Sequence, residues 1–165
     1  MRIIGIDPGL ARVGIALVDA SSPHDIQARE WFTIETEAGH AMGERLQEIS
    51  ADLRSILRAE KPDLAAVERL FFAVNEKTAF DVAQVRGVIL LTLAEENIAH
   101  LEPTPLQLKA AITGDGKASK QQMQDMLTRM LGLSARPTPD DAADALALAV
   151  FGALHSSHVD RAASR

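Results

Sequence analysis

The chain has 165 residues, which suits one domain with a sizeable core. Apolar residues make up 47% and cysteine is absent, which excludes a disulfide framework and a thiolate-held zinc site. No apolar run approaches the roughly 18 residues of a membrane span, and the N-terminus enters a strand pattern without the features of a secretory signal. The expected location is therefore cytoplasmic, with no membrane partner.

Three β patterns come first: residues 2–7, residues 13–19, and an alternating stretch over 26–35 with Ile26, Ala28, Phe32 and Ile34 expected on one face. Pro8-Gly9 and Ser21-Ser22-Pro23 supply the breaks, and connections this short suit antiparallel neighbours. Met42, Leu46, Ile49, Leu53, Ile56 and Leu57 then mark one helical face, which Lys61-Pro62 stops. A strand is expected over 63–68, a helix over about 76–95, and a short strand over 98–101. Three helices follow, over about 104–112, 119–131 and 139–155. One domain over 1–155 is expected, with 156–165 as a short polar tail.

The order β-β-β-α-β-α-β-α-α-α predicts an α/β fold with a mixed five-stranded sheet and helices on both faces. Parallel strands of such a sheet leave their carboxyl ends on one edge, where open sheets bind ligands. Asp7 ends the apolar run Ile3–Ile6, and Glu68 ends Leu64–Val67. If these two strands are parallel neighbours, the two acids meet.

A second pair of acids opens the last helix. Thr138-Pro139-Asp140-Asp141 reads as an N-cap, a proline at the first position, and two acids in the first turn. Helix-dipole complementarity accounts for Asp140 and Asp141. It does not account for Asp144, one turn further in among alanines and leucines. At i and i+3 Asp141 and Asp144 share a face, and the same stripe later carries Leu148 and Phe151, so it points inward.

Acids at the ends of buried elements cost several kcal/mol each unless neutralised. No lysine or arginine stands in the same short segments, apart from Arg69 beside Glu68. Bound divalent cations are the economical answer: two Mg²⁺ or Mn²⁺ ions about 4 Å apart, held by Asp7, Glu68, Asp141 and Asp144. Phosphodiester hydrolysis is the reaction such a centre suits best. The formal net charge of −6 opposes nucleic-acid binding, but Lys109, Lys117, Lys120, Arg129 and Arg136 face only Asp115 and Asp125 between Pro103 and Arg136. That segment is either a solvated face or a local phosphate-binding surface.

Several motifs carry a resemblance. Ile4-Gly5-Ile6-Asp7-Pro8-Gly9, Val67-Glu68 with the following Phe71-Phe72-Ala73-Val74-Asn75, Gln84-Val85-Arg86-Gly87, Lys120-Gln121-Gln122 and Asp141-Ala142-Ala143-Asp144-Ala145-Leu146 resemble the RuvC family of Holliday junction resolvases. They occur in family order and spacing over about residues 3–155. The resemblance implies a ribonuclease-H-like fold and a homodimer that makes paired nicks in four-way DNA junctions, in recombination and repair. It implies Asp7, Glu68, Asp141 and Asp144 as metal-binding catalytic acids, and Lys120 as a lysine near the scissile phosphate. It also implies Lys109 as a DNA contact and Phe71 as an aromatic that stacks on a junction base. Lys117 and Arg86 are further candidates for DNA contact.

The family also implies a dimer contact through the helix at about 76–95, and a branch-migration motor as a further partner. On that helix Ala79, Val82, Ala83, Arg86, Gly87 and Leu90 form a stripe in which small residues would let two copies approach. Two departures stand out: Val74 and Asp140 replace a residue type common at their positions, basic and small respectively. The alternative enzyme reading is a ribonuclease-H-like nuclease acting on structured RNA or an RNA–DNA hybrid. A non-catalytic DNA-binding homologue and an actin-like ATPase are further readings, the latter disfavoured because so short a chain lacks a second domain to clamp nucleotide.

Overall fold

In the computed structural model the described residues are 1–69 and 76–156, with the backbone alone at 76–78. Strands β1 (Arg2–Asp7), β2 (Arg12–Ser22), β3 (Asp25–Glu35), β4 (Leu64–Val67) and β5 (His100–Leu101) form one sheet in the order β3-β2-β1-β4-β5. β1 pairs antiparallel with β2 and β2 with β3, whereas β1–β4 and β4–β5 are parallel. The mixed sheet expected from the element order is the one observed.

The period-2 alternation of each strand decides which layer its side chains enter. Ile4, Ile6, Val13, Ile15, Leu17, Ala65 and Val67 face α1 (Met42–Glu60) and α2 (Glu76–Glu95), where they meet Ile49, Leu53, Val85, Ile89 and Leu93. Ile3, Ala16, Val18, Leu64 and Ala66 face the other layer, built from α3 (Pro105–Thr113), α4 (Lys120–Met130) and α5 (Asp140–His155). By the same alternation Asp7, two residues beyond Gly5, and Glu68, two beyond Ala66, fall on the α5 side.

α5 is alanine-rich because it lies directly on the sheet. A β-carbon at Gly5 would stand 2.0 Å from the Ala145 carbonyl oxygen, so only hydrogen fits between β1 and the helix backbone. Ala142 through Ala153 are buried along the helix apart from Asp144, with Leu146, Leu148, Val150 and Phe151 filling the adjoining core.

The structure differs from the pattern-based expectation in several places, among them β5, which is confined to His100–Leu101. β3 does not keep one face throughout: a bulge opposite Leu17/Val18 inserts a residue and reverses the phase, so Ile26, Ala28 and Trp31 meet the α5 layer while Phe32 and Ile34 meet the α1/α2 layer. β2 runs to Ser22, because Ser22 pairs with Asp25 and only Pro23-His24 forms the turn. β4 ends at Val67, which leaves Glu68 just beyond the strand. α5 begins at Asp140 with Pro139 at the N-cap and no side-chain cap bond.

The loop after Asp7 has its own support. Arg45, almost fully buried on α1, donates from Nε to Thr36 Oγ1 (2.8 Å) and from Nη2 to the Leu10 carbonyl (3.1 Å). A buried guanidinium is costly without acceptors, so these bonds fix the turn that follows the first acid.

Candidate active site

The parallel register of β1 and β4 pairs Ile6 with Val67, so the next residues on each strand, Asp7 and Glu68, come side by side. Gly14, opposite Asp7 on β2, lets α5 settle against the sheet at its N-terminal end. That approach brings Asp141 and Asp144, one turn apart, over the same edge. Three elements far apart in the sequence thus contribute one cluster of carboxylates.

The electrostatics show that the four acids feel one another. Burial, with Glu68, Asp144 and Asp141 adding repulsion, pushes the Asp7 carboxyl up to about 8, against a smaller opposing pull from Lys120. Burial raises Glu68 too, with Asp144 contributing. Asp144 is raised by burial although the Lys120 hydrogen bond pulls it back. This many carboxyls cannot ionise together in a partly dry site without added positive charge.

Two side-chain cations stand at the rim. A Ser119–Gln122 capping box starts α4 and sets Lys120 at its first position. From there Lys120 Nζ donates to Asp144 Oδ2 at 3.0 Å and lies 3.3 Å from Asp140 Oδ2. A cation at a helix N-terminus opposes the macrodipole, at a cost of about 0.3–1 kcal/mol. The acids offset that cost: although burial works against its charge, bonding to Asp144 and Asp140 keeps Lys120 protonated above the usual lysine range.

Arg12 is the second cation, with Nε 3.4 Å from Asp141 Oδ2. Sequence reasoning missed it, because its partner Asp141 lies far away in the sequence and meets it only through folding. The pairing does not withdraw Asp141 from the cluster, since Asp141 still raises Asp7. Both partners are part-exposed, so the bridge itself is worth about 0–1 kcal/mol.

The other candidates separate clearly. Lys109 is part-buried on α3 and Lys117 is exposed in the α3–α4 connection; among the described residues neither is ion-paired, and the same holds for Arg129. Arg136 is bound to Asp125 at 2.6 Å. Arg86 is turned into the protein: Nε donates to the Glu68 carbonyl at 3.1 Å, Nη2 contacts the Glu102 carboxylate, and the side chain is 17% exposed. Its predicted DNA contact is therefore at odds with its position. Of the stripe expected on α2, Gly87 is exposed while Ala79, Val82, Ala83 and Leu90 are part-buried, and Phe80 (75%), Gln84 and Leu91 (58%) are exposed beside it. Phe71, Phe72 and Val74 lie outside the described residues.

Asp7, Glu68, Asp141 and Asp144 offer only carboxylate oxygens, the donors that hard divalent ions such as Mg²⁺ and Mn²⁺ prefer. Among the described residues no three Asp, Glu or His side chains are already arranged so that they could hold a metal ion, and Asp141 and Asp144 each lean on a cation, Arg12 or Lys120. The uncompensated negative charge around Asp7 is what makes the set fit such ions. Among the described residues no helix is long and apolar enough to cross a membrane.

A ribonuclease-H-like sheet with acids converging from β1, the end of β4 and α5 defines the class of carboxylate-centred nucleases on that fold. The sequence profile described as crossover junction endodeoxyribonuclease RuvC matches residues 3–152, and the chain belongs to that family. The RuvC of Caldicellulosiruptor saccharolyticus is 43% identical over 159 residues, covering 96% of each chain. The Thermus thermophilus RuvC structure is similar with a TM-score of 0.88 at 30% identity, covering 96% of this chain and 97% of that one. The T. thermophilus RuvC structure in complex with Holliday junction substrate gives 0.84 at 27% identity, covering 96% of both. Nucleases of the family depend on divalent metal.

Proposed function

We propose that this chain is a structure-specific endonuclease that resolves four-way DNA junctions by paired nicks, leaving 5′-phosphate and 3′-hydroxyl ends. The observation that carries the reading is the convergence of Asp7, Glu68, Asp141 and Asp144 on one sheet edge, in a chain whose family match spans residues 3–152. These four acids would hold two Mg²⁺ or Mn²⁺ ions. Bound ions of this kind lower the pKa of an attacking water and offset charge on the departing 3′ oxygen.

The chain's own residues supply the rest. Lys120, 3.0 Å from Asp144, stands where phosphate charge would build up, and its ammonium would stabilise that charge. Lys109 and Lys117 are cations free to meet backbone phosphates. Phe71 is the candidate for stacking on an unpaired base, worth about 1–3 kcal/mol. The exposed Phe80 and Leu91 on α2, with Gly87 between them, suit a second copy of this chain. A two-fold dimer would present equivalent sites to the two strands of a nearly two-fold junction. Residence with the chromosome in the cytoplasm, and delivery by a branch-migration motor, complete the reading.

Incubation with a mobile four-way junction, an RNA–DNA hybrid and a structured RNA separates this reading from its alternative. Symmetric nicking of the junction, abolished by EDTA and restored by Mg²⁺ or Mn²⁺, is the expected result. Preferential cutting of the hybrid or the RNA would overturn it, and junction binding with no cleavage under any divalent ion would mark a non-catalytic homologue.

A further inference from the structure

Glu68 differs from Asp7 in how its backbone is held. Asp7 is inside the β1–β2 ladder, paired with Gly14. Glu68 lies past the last ladder pair of β4, so the sheet does not fix it. Two other bonds do. Arg86 Nε, on α2, donates to the Glu68 carbonyl at 3.1 Å, and the next amide, Arg69 N–H, donates to the Pro103 carbonyl at 2.9 Å. The Arg86 guanidinium is itself held from behind by the Glu102 carboxylate, which also lies 3.3 Å from His100 Nε2.

We infer that Arg86 is a positioning residue for Glu68: clamped by Glu102, it fixes the backbone that aims this carboxylate into the cluster, and it is not a DNA contact. The inference rests on the reading of Glu68 as a metal-binding acid. A phosphate contact needs an accessible guanidinium, and Arg86 is 17% exposed with its Nε and Nη2 both engaged within the protein. An acid without a ladder partner can be displaced by small backbone shifts, and loss of an orienting group behind a metal ligand typically lowers metal affinity or activity by roughly 10- to 100-fold. The placement of Arg86 also joins the site to α2, the helix whose opposite face exposes Phe80 and Leu91.

The test compares the full-length protein with Arg86→Ala, Arg86→Lys and Glu102→Gln, and with Asp7→Asn as a control that should not load metal. Mn²⁺ affinity is measured calorimetrically without DNA, junction Kd is measured in Ca²⁺ as a function of salt, and kcat and KM are measured separately. Arg86→Ala should weaken Mn²⁺ binding and lower kcat by roughly tenfold or more, with junction Kd and its salt slope unchanged. Glu102→Gln should do the same more mildly. Arg86→Lys should recover part of the loss, since one ammonium can reach the carbonyl or Glu102 but cannot span both. Weaker junction binding with a reduced salt slope and intact Mn²⁺ affinity would overturn the inference in favour of a DNA contact. A lowered Tm with metal affinity and kcat unchanged in the folded protein would overturn it as well. Failure of the wild-type protein to bind Mn²⁺, or equal binding by Asp7→Asn, would instead refute the underlying reading of the metal site.

Discussion

Gly14 lies so close to the start of α5 that a β-carbon on it would stand 2.0 Å from the Asp141 carbonyl oxygen and 3.2 Å from the Asp7 β-carbon. The missing side chain lets the helix bearing two of the acids rest against the strand pair that carries the first. Backbone, not a movable side chain, fills the space, so a methyl group there displaces the helix. Gly14→Ala should therefore weaken Mn²⁺ binding and cleavage by at least tenfold, beyond what its loss of stability explains. Wild-type metal affinity in that variant, measured by calorimetry on folded protein, would show that the contact does not set the site.

Asp7 gives a pH-dependent prediction. Its folded-state pKa is about 8 against 3.8 for a free side chain. The folded chain thus keeps a proton that the unfolded chain releases, and without bound metal Asp7 makes stability fall as pH rises from roughly 4 to about 8. Asp7→Asn removes this penalty, so its Tm in EDTA should exceed that of wild type at pH 8, and the gap should close toward pH 4. The same variant should fold, bind the junction, and cleave slower by orders of magnitude. A Tm gap independent of pH would show that Asp7 is not held in a crowded, dry cluster.

Lys120 offsets the negative charge of Asp144 and Asp140. Lys120→Ala should lower kcat on the order of 100-fold and leave junction Kd within a few-fold. Because the Lys120 hydrogen bond pulls the raised Asp144 carboxyl back down, its removal should also shift the acidic limb of the cleavage profile to higher pH. An unchanged kcat would limit Lys120 to pairing with these acids.

Arg12 competes for Asp141. The pair is part-exposed and worth about 0–1 kcal/mol, so Arg12→Ala should tighten Mn²⁺ binding by no more than a few-fold in the absence of DNA. Weaker Mn²⁺ binding would show that Arg12 orients Asp141 rather than rivalling the cation.

Much of this site could be read from the sequence, because its logic is local: Asp7 and Glu68 each end an apolar run, Asp144 interrupts one where no helix dipole explains it, and Asp141 shares the face of Asp144. The element order pointed to the mixed sheet, but the parallel β1–β4 pairing that joins two of the acids was a condition that only the folded chain meets. What escaped was non-local. The β3 bulge depends on pairing with β2, so a run of alternating residues could not reveal that Ile26 and Phe32 face opposite layers. Arg12 finds Asp141, and Arg86 finds the Glu68 carbonyl, only through folding. On α2 the apolar pattern alone could not separate Leu90, which packs on the core, from its neighbour Leu91, which is exposed.

The central claim is that carboxylates from β1, the end of β4 and α5 together bind the ions that cut DNA. Anomalous diffraction from a crystal soaked in Mn²⁺ tests it most directly. Two peaks with oxygen ligands from Asp7, Glu68, Asp141 and Asp144, lost in the Asp7→Asn protein, are the predicted result. Peaks elsewhere, or none at this edge under conditions where the soaked protein nicks junctions, would contradict it.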